Sequence, residues 1–81
     1  MLLVEEQIEK ELKALISDYF NINADSADNL YLLGIMPRDM VKLVYLLEDK
    51  YGIRFIESDL LHDKFDNIHD LAVVVNQHIQ H

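Results

Sequence analysis

The side chains able to do chemistry are few in this sequence, and their spacing points away from catalysis. Four histidines are present, His62, His69, His78 and His81. His78 and His81 stand three apart near the end of the chain, where two ligands on one helix face make only a sparse metal site. His62 and His69 flank Asp63, Asp66 and Asp70, a metal-like composition without a recognised ligand spacing. Both groups read as solvated polar side chains, although a histidine can titrate near neutral pH. Glu48 and Asp49 are adjacent acids, but neighbouring helical positions point in different directions and cannot converge on one substrate atom. There is no Ser-His-Asp order, glycine-rich phosphate loop or His-Glu-x-x-His pattern. The absence of cysteine excludes disulfides, zinc thiolates and thiol nucleophiles. A chain of 81 residues also leaves little room for a deep pocket. The expectation is a protein that is not an enzyme and that holds neither cofactor nor metal.

A second set of residues suits contact rather than reaction. Ile35, Met36, Arg38, Asp39, Lys42 and Tyr45 cluster around the start of one amphipathic segment. An arginine and a tyrosine on one exposed helix face, next to apolar Ile35 and Met36, is a composition that protein interfaces favour. The plain alternative is a solvated helix with a scattered mixture of side chains, since single exposed apolar residues are ordinary.

Those residues need a scaffold, and the bulk properties define it. A domain of this size buries roughly 60–65% of the surface its unfolded chain exposes, so nearly every large apolar residue is needed in the core. With 51% hydrophobic residues, no metal or disulfide is required to complete it. The net charge of −8 disfavours nucleic acid, whose phosphates would be repelled, and favours basic partner surfaces or simple solubility. No apolar run approaches the roughly 20 residues of a membrane-spanning helix. The opening "MLLVEEQIEKELKALI" turns acidic and amphipathic at once, which reads as helix rather than secretory leader. The expected setting is the cytoplasm, with no membrane contact and a monomeric state.

The pattern is helical throughout, with only two glycines and one proline. Val4, Ile8, Leu12, Leu15, Ile16 and Tyr19 recur at three- and four-residue spacing, predicting a helix from about Val4 to Phe20. Glu6–Lys10 and Glu9–Lys13 supply favourable four-apart pairs on its solvated side. "NINADSADN" (21–29) reads as loop, because Asn, Asp and Ser compete with the backbone for hydrogen bonds. Leu30, Leu32 and Leu33 are expected to lie over the core as a plug, with Gly34 giving freedom before the next helix. That helix should begin at Pro37, whose missing N–H costs nothing at a first helical position, and stop at Gly52. Met40, Val41, Val44, Leu47 and Tyr51 form its predicted buried stripe, with Arg38, Lys42, Tyr45 and Asp49 opposite. "ESDLL" (57–61) suggests a short helical turn, anchored by Ile53, Phe55 and Ile56. Asp66 or Asn67 can cap a last helix whose apolar residues are Ile68, Leu71, Ala72, Val75 and Ile79. The spacing outweighs the strand preference of Val73 and Val74. The expected fold is all-α, a single domain forming a small bundle of three longer helices plus one short helix, with a long first loop.

Four features follow one another along the chain: Leu33-Gly34 before the second helix, "VKLVYLLEDKYGIRF" (41–55), Asp59 in the short segment, and Phe65-x-x-Ile68-x-Asp70-Leu71-Ala72 entering the last helix. In this order they resemble the acyl carrier and peptidyl carrier protein superfamily. The resemblance runs from about Ile8 to Val75 and implies the carrier bundle. In that family a variable residue, an Asp and the Ser that receives phosphopantetheine follow the Leu-Gly pair. Here Ile35, Met36 and Pro37 stand at those positions, and proline has no hydroxyl for a phosphodiester. No Ser or Thr lies between Ser26 and Ser58, so no shift of register restores the site. Family members present the start of helix two as an acidic strip, whereas Arg38 and Lys42 stand here with Asp39 between them. Tyr45 falls where the family places an exposed apolar contact residue.

The resemblance therefore implies a carrier-like module without its arm, one that binds a biosynthetic or peptide-modifying enzyme through helix two. Carrier-like proteins lacking the serine occur as a class in peptide-maturation systems. Two alternatives differ in chemistry. One is a genuine carrier modified at a non-standard serine, with Ser26 in the most comparable loop and Ser17 or Ser58 elsewhere. The other is a bundle that holds an acyl ligand noncovalently.

Overall fold

The first helix follows from a strict apolar register. In the computed structural model, which describes residues 5–56 and 66–79, helix α1 spans Glu5–Phe20. Ile8, Leu12 and Ile16 are fully buried along one stripe, with Leu15 and Phe20 packed against its edge. Two acids, Glu5 and Glu6, sit in the first turn, where they complement the positive end of the helix dipole. Asn21 ends the helix in the left-handed conformation, φ 56°, and its N–H donates to the Ser17 carbonyl at 3.0 Å. Tyr19 shares the stripe's register yet is exposed. It lies in the last turn, and its ring is covered by Lys42 rather than by the core, with Nζ 5.6 Å from the ring centre.

Helix α2 spans Pro37–Tyr51 and starts where the proline predicts. Met36 occupies the N-cap with extended backbone, φ −85° and ψ 158°, but has no side-chain oxygen to accept from the first turn. Asp39 supplies half of a capping box by accepting the Met36 N–H at 3.0 Å. Gly52, at φ 64°, closes the other end and donates to the Glu48 carbonyl. The buried stripe is Met40, Leu43, Val44 and Leu47, with Tyr51 half-buried. Val41, expected inside, is 54% exposed. At about 100° per residue it lies roughly a quarter-turn beyond Met40, whereas Leu43 lies on the other side of Met40, next to Leu47.

The last helix, α3, spans Ile68–Ile79 and buries Ile68, Leu71, Ala72, Val74 and Val75. Asn67 is its cap: Oδ1 accepts from the Asp70 N–H at 2.8 Å, and its carbonyl accepts from Leu71 at 3.2 Å. Asp66 contributes differently. Its carbonyl accepts the Leu30 N–H at 2.7 Å and so ties the first loop to the entrance of α3. α1 packs chiefly on α3, with α2 laid against that pair.

The segment from 21 to 36 is a long connection with few regular bonds, yet it is anchored at several points. Ala24, Leu30 and Ile35 are buried in the core. Asn29 Oδ1 accepts from the Tyr31 and Leu32 N–H groups at 2.9 and 3.3 Å, which turns the chain immediately after it. Of the three leucines expected as a plug, only Leu30 is inside; Leu32 is 86% exposed and Leu33 is also on the surface. The Leu30 carbonyl receives the N–H groups of both Leu33 and Ile35, so the turn closes on Leu30 and carries the next two leucines outward. Gly34 at φ 111° permits the return to buried Ile35.

The structure is thus all-helical among the described residues, with three helices and a long first loop. The expected short helix at 57–61, with Asp59, and the Phe65 position lie outside the described residues.

Candidate functional site

The start and outer face of α2 collect most of the residues singled out for contact. Met36, Pro37, Arg38, Lys42 and Tyr45 are all exposed, and Tyr45 is the most open of the tyrosines at 66%. Arg38 makes no ion pair among the described residues. Lys42 leans over Tyr19 and so bridges the face of α2 to the end of α1.

Two of the proposed contact residues have other tasks. Ile35 is 2% exposed, because the Gly34 turn directs its side chain into the core, and it leaves the contact set. Asp39 is half-buried, and its carboxylate is held by the Met36 N–H at the helix entrance. In their place the structure adds Val41 and Tyr31. Together with Pro37, Met40, Val44, Tyr45 and Glu48 they line a surface cleft of about 280 Å³. Val41 was accessible to sequence reasoning through the strict 40, 43, 44, 47 spacing, which leaves it outside the stripe. Tyr31 had no local signal, since its position depends on the Asn29 turn.

Several ionisable side chains are held in specific bonds. Glu9 lies between loop and α3, beside the Ser26 side chain, and meets His69 Nδ1 at 3.2 Å. The Ser26 hydroxyl is the main cause that holds the Glu9 carboxyl below its ordinary range. The Ser26 carbonyl also accepts the His69 N–H at 3.0 Å. Ser26 is therefore a tie among loop, α1 and α3, not a free hydroxyl on a flexible arm.

Glu11 and Tyr51 join α1 to α2 through a bond of 2.5 Å from the Tyr51 hydroxyl to Glu11 Oε1. The hydroxyl is the main cause that lowers the Glu11 carboxyl. Burial, reinforced by Glu11, raises the Tyr51 phenol above its usual value. Glu48 is likewise engaged, accepting the Phe55 N–H at 2.9 Å, which separates it in role from exposed Asp49.

His78 stands edge-on to the Phe55 ring, with centroids 5.5 Å apart. No group of three or more metal-ligating side chains occurs among the described residues, and His62 and His81 lie outside them. No described helix is long and apolar enough to cross a membrane.

Compared with known proteins, the chain matches no family model, no curated protein and no solved structure. The functional reading accordingly rests on its own residues.

Proposed function

We propose that this chain is a carrier-like protein-binding module without a covalent arm, acting as an accessory to a biosynthetic or peptide-maturation enzyme. The observation that carries the reading is the start of α2. Pro37 stands at its first position, where the resembled family has its modified serine, and the face that follows carries exposed Val41 and Tyr45. A proline there favours helix initiation and removes any hydroxyl from the site. Tyrosine supplies a rigid, amphipathic contact at small entropic cost, which is why it recurs at interfaces. The engagement of Ser26 with Glu9 further supports the reading over a carrier modified in the first loop.

The test is site-resolved crosslinking in an extract of the source cells. A photoreactive phenylalanine analogue at Tyr45 should capture a protein, identified by mass spectrometry, that the same group at exposed Gln77 on α3 does not. Identical capture profiles from the two positions would overturn docking through α2.

A further inference from the structure

The cleft on α2 has a chemistry that selects among partners. Its buried lining is Met40 and Val44, and its exposed walls are Tyr31, Val41 and Tyr45. At about 280 Å³ it lies just under the roughly 300–1,000 Å³ of small-molecule sites, a scale that suits one inserted side chain. The charges beside it are unevenly committed. Glu48 on its rim accepts the Phe55 N–H, and Asp39 in the first turn of α2 accepts the Met36 N–H. Arg38, on the same outward side of α2 as Tyr45, has no ion pair among the described residues. On a chain of net charge −8, Arg38 and Lys42 place two positive charges on the outer side of α2, while the Glu48 carboxylate keeps its charge on the cleft rim.

We propose that this cleft takes an apolar anchor from an acidic partner segment, whose carboxylate beside the anchor meets Arg38. The inference rests on the protein-binding reading of α2 and names the partner's chemistry. Guanidinium and carboxylate form paired, directional hydrogen bonds, and a carboxylate one helical turn from the anchor shares its face. Lys42 adds positive potential on the same side, although its ammonium already faces Tyr19. The remaining negative charge of the chain repels acidic segments elsewhere, so the anchor and Arg38 together define where such a segment settles.

The test is a chemical-shift titration of the isotopically labelled protein with three helical peptides. The first has a single leucine anchor with glutamates three and four residues to either side. The second carries lysines in place of the glutamates, and the third replaces the leucine by serine. The inference expects saturable shifts at Arg38, Val41 and Tyr45 with the first peptide, weakened about tenfold or more by either change. Arg38→Glu should abolish the preference for glutamate over lysine, and Tyr45→Ala should lose binding of the first peptide. Equal or better binding of the lysine peptide at these residues keeps docking on α2 but overturns the acidic partner. Shifts of the same residues that depend on protein concentration alone would assign the cleft to a second copy, and would overturn it too. Silence from all three peptides overturns the inference, and crosslinking from Tyr45 then decides separately whether α2 docks a partner of another chemistry.

Discussion

Between α1 and α3, Ile8, Leu12 and Ile16 meet a helix that buries Ile68, Leu71 and Val75, while along the outer face of α2 Val41 and Tyr45 stand open. The polar groups follow the same division. Near the α1 contacts, Glu9 is engaged with Ser26 and His69, and Glu11 with Tyr51. On α2, Arg38 is uncommitted among the described residues. The seam between α1 and α3 thus engages Glu9 at its edge, and the outer face of α2 leaves Val41 and Tyr45 in solvent. The two should respond to mutation in opposite ways.

The sharpest break comes from the closed region. Leu71→Ala removes a fully buried side chain from the α3 stripe and should cost roughly 2–5 kcal/mol. That is a large fraction of the roughly 5–15 kcal/mol typical of a whole domain. Urea denaturation should show the midpoint falling steeply.

A smaller effect is expected at the tie between α1 and α2. Tyr51→Phe removes the hydroxyl from Glu11 and should cost about 1 kcal/mol, kept modest because both groups retain solvent contact. Its pH dependence has a definite sign. The folded Glu11 carboxyl is lowered from 4.5, so its contribution is complete above that value and fades as the pH falls through the lower folded one. The Tyr51 phenol is raised from 10.0, so its contribution is complete below that pH and is lost as the pH climbs above it. Stability measured against pH should therefore lose less at both extremes in Tyr51→Phe than in the parent.

Met36 tests the comparison from the other side. Its N-cap position lacks an acceptor, and Met36→Asp should supply one and add about 1 kcal/mol of stability. A carboxylate at this entrance also suits the helix dipole. If α2 binds an acidic partner, the same substitution should weaken that binding while it raises the melting temperature. A gain in both would break the proposed division.

The smallest stability effect should be at Tyr45. Tyr45→Ala should leave unfolding within about 0.5 kcal/mol of the parent, since the side chain stands largely in solvent. In the same variant, isothermal titration of a partner identified by crosslinking should show the larger loss. A stability cost above about 2 kcal/mol would mean that Tyr45 belongs to the core economy after all.

Much of this division was legible in the sequence because it depends on periodicity. The helices at Glu5–Phe20, Pro37–Tyr51 and Ile68–Ile79 follow from apolar spacing, and Pro37, Gly52 and Asn67 mark their ends by fixed local chemistry. The failures occurred where a position depends on bonds between distant segments. Leu32 and Leu33 looked like core by hydrophobicity, but the turn closing on Leu30 carries them outward. Ile35 looked like part of the contact surface by its place before α2, and the Gly34 turn sends it inside. Val41 was expected inside and Leu43 was not named, although the spacing 40, 43, 44 and 47 admits Leu43 to the stripe and leaves Val41 out. The exposure of Arg38 and Tyr45 on the outer side of α2 was legible in the spacing, while Tyr31 reaches the cleft from a loop that periodicity does not describe.

The measurement that bears most directly on the account is the intact mass of the protein after incubation with coenzyme A and a broad-specificity phosphopantetheinyl transferase. With Pro37 at the start of α2 and Ser26 tied to Glu9, the mass should not change. Addition of one phosphopantetheine, located by peptide mapping to Ser17, Ser26 or Ser58, would contradict the account and restore this chain as a true carrier.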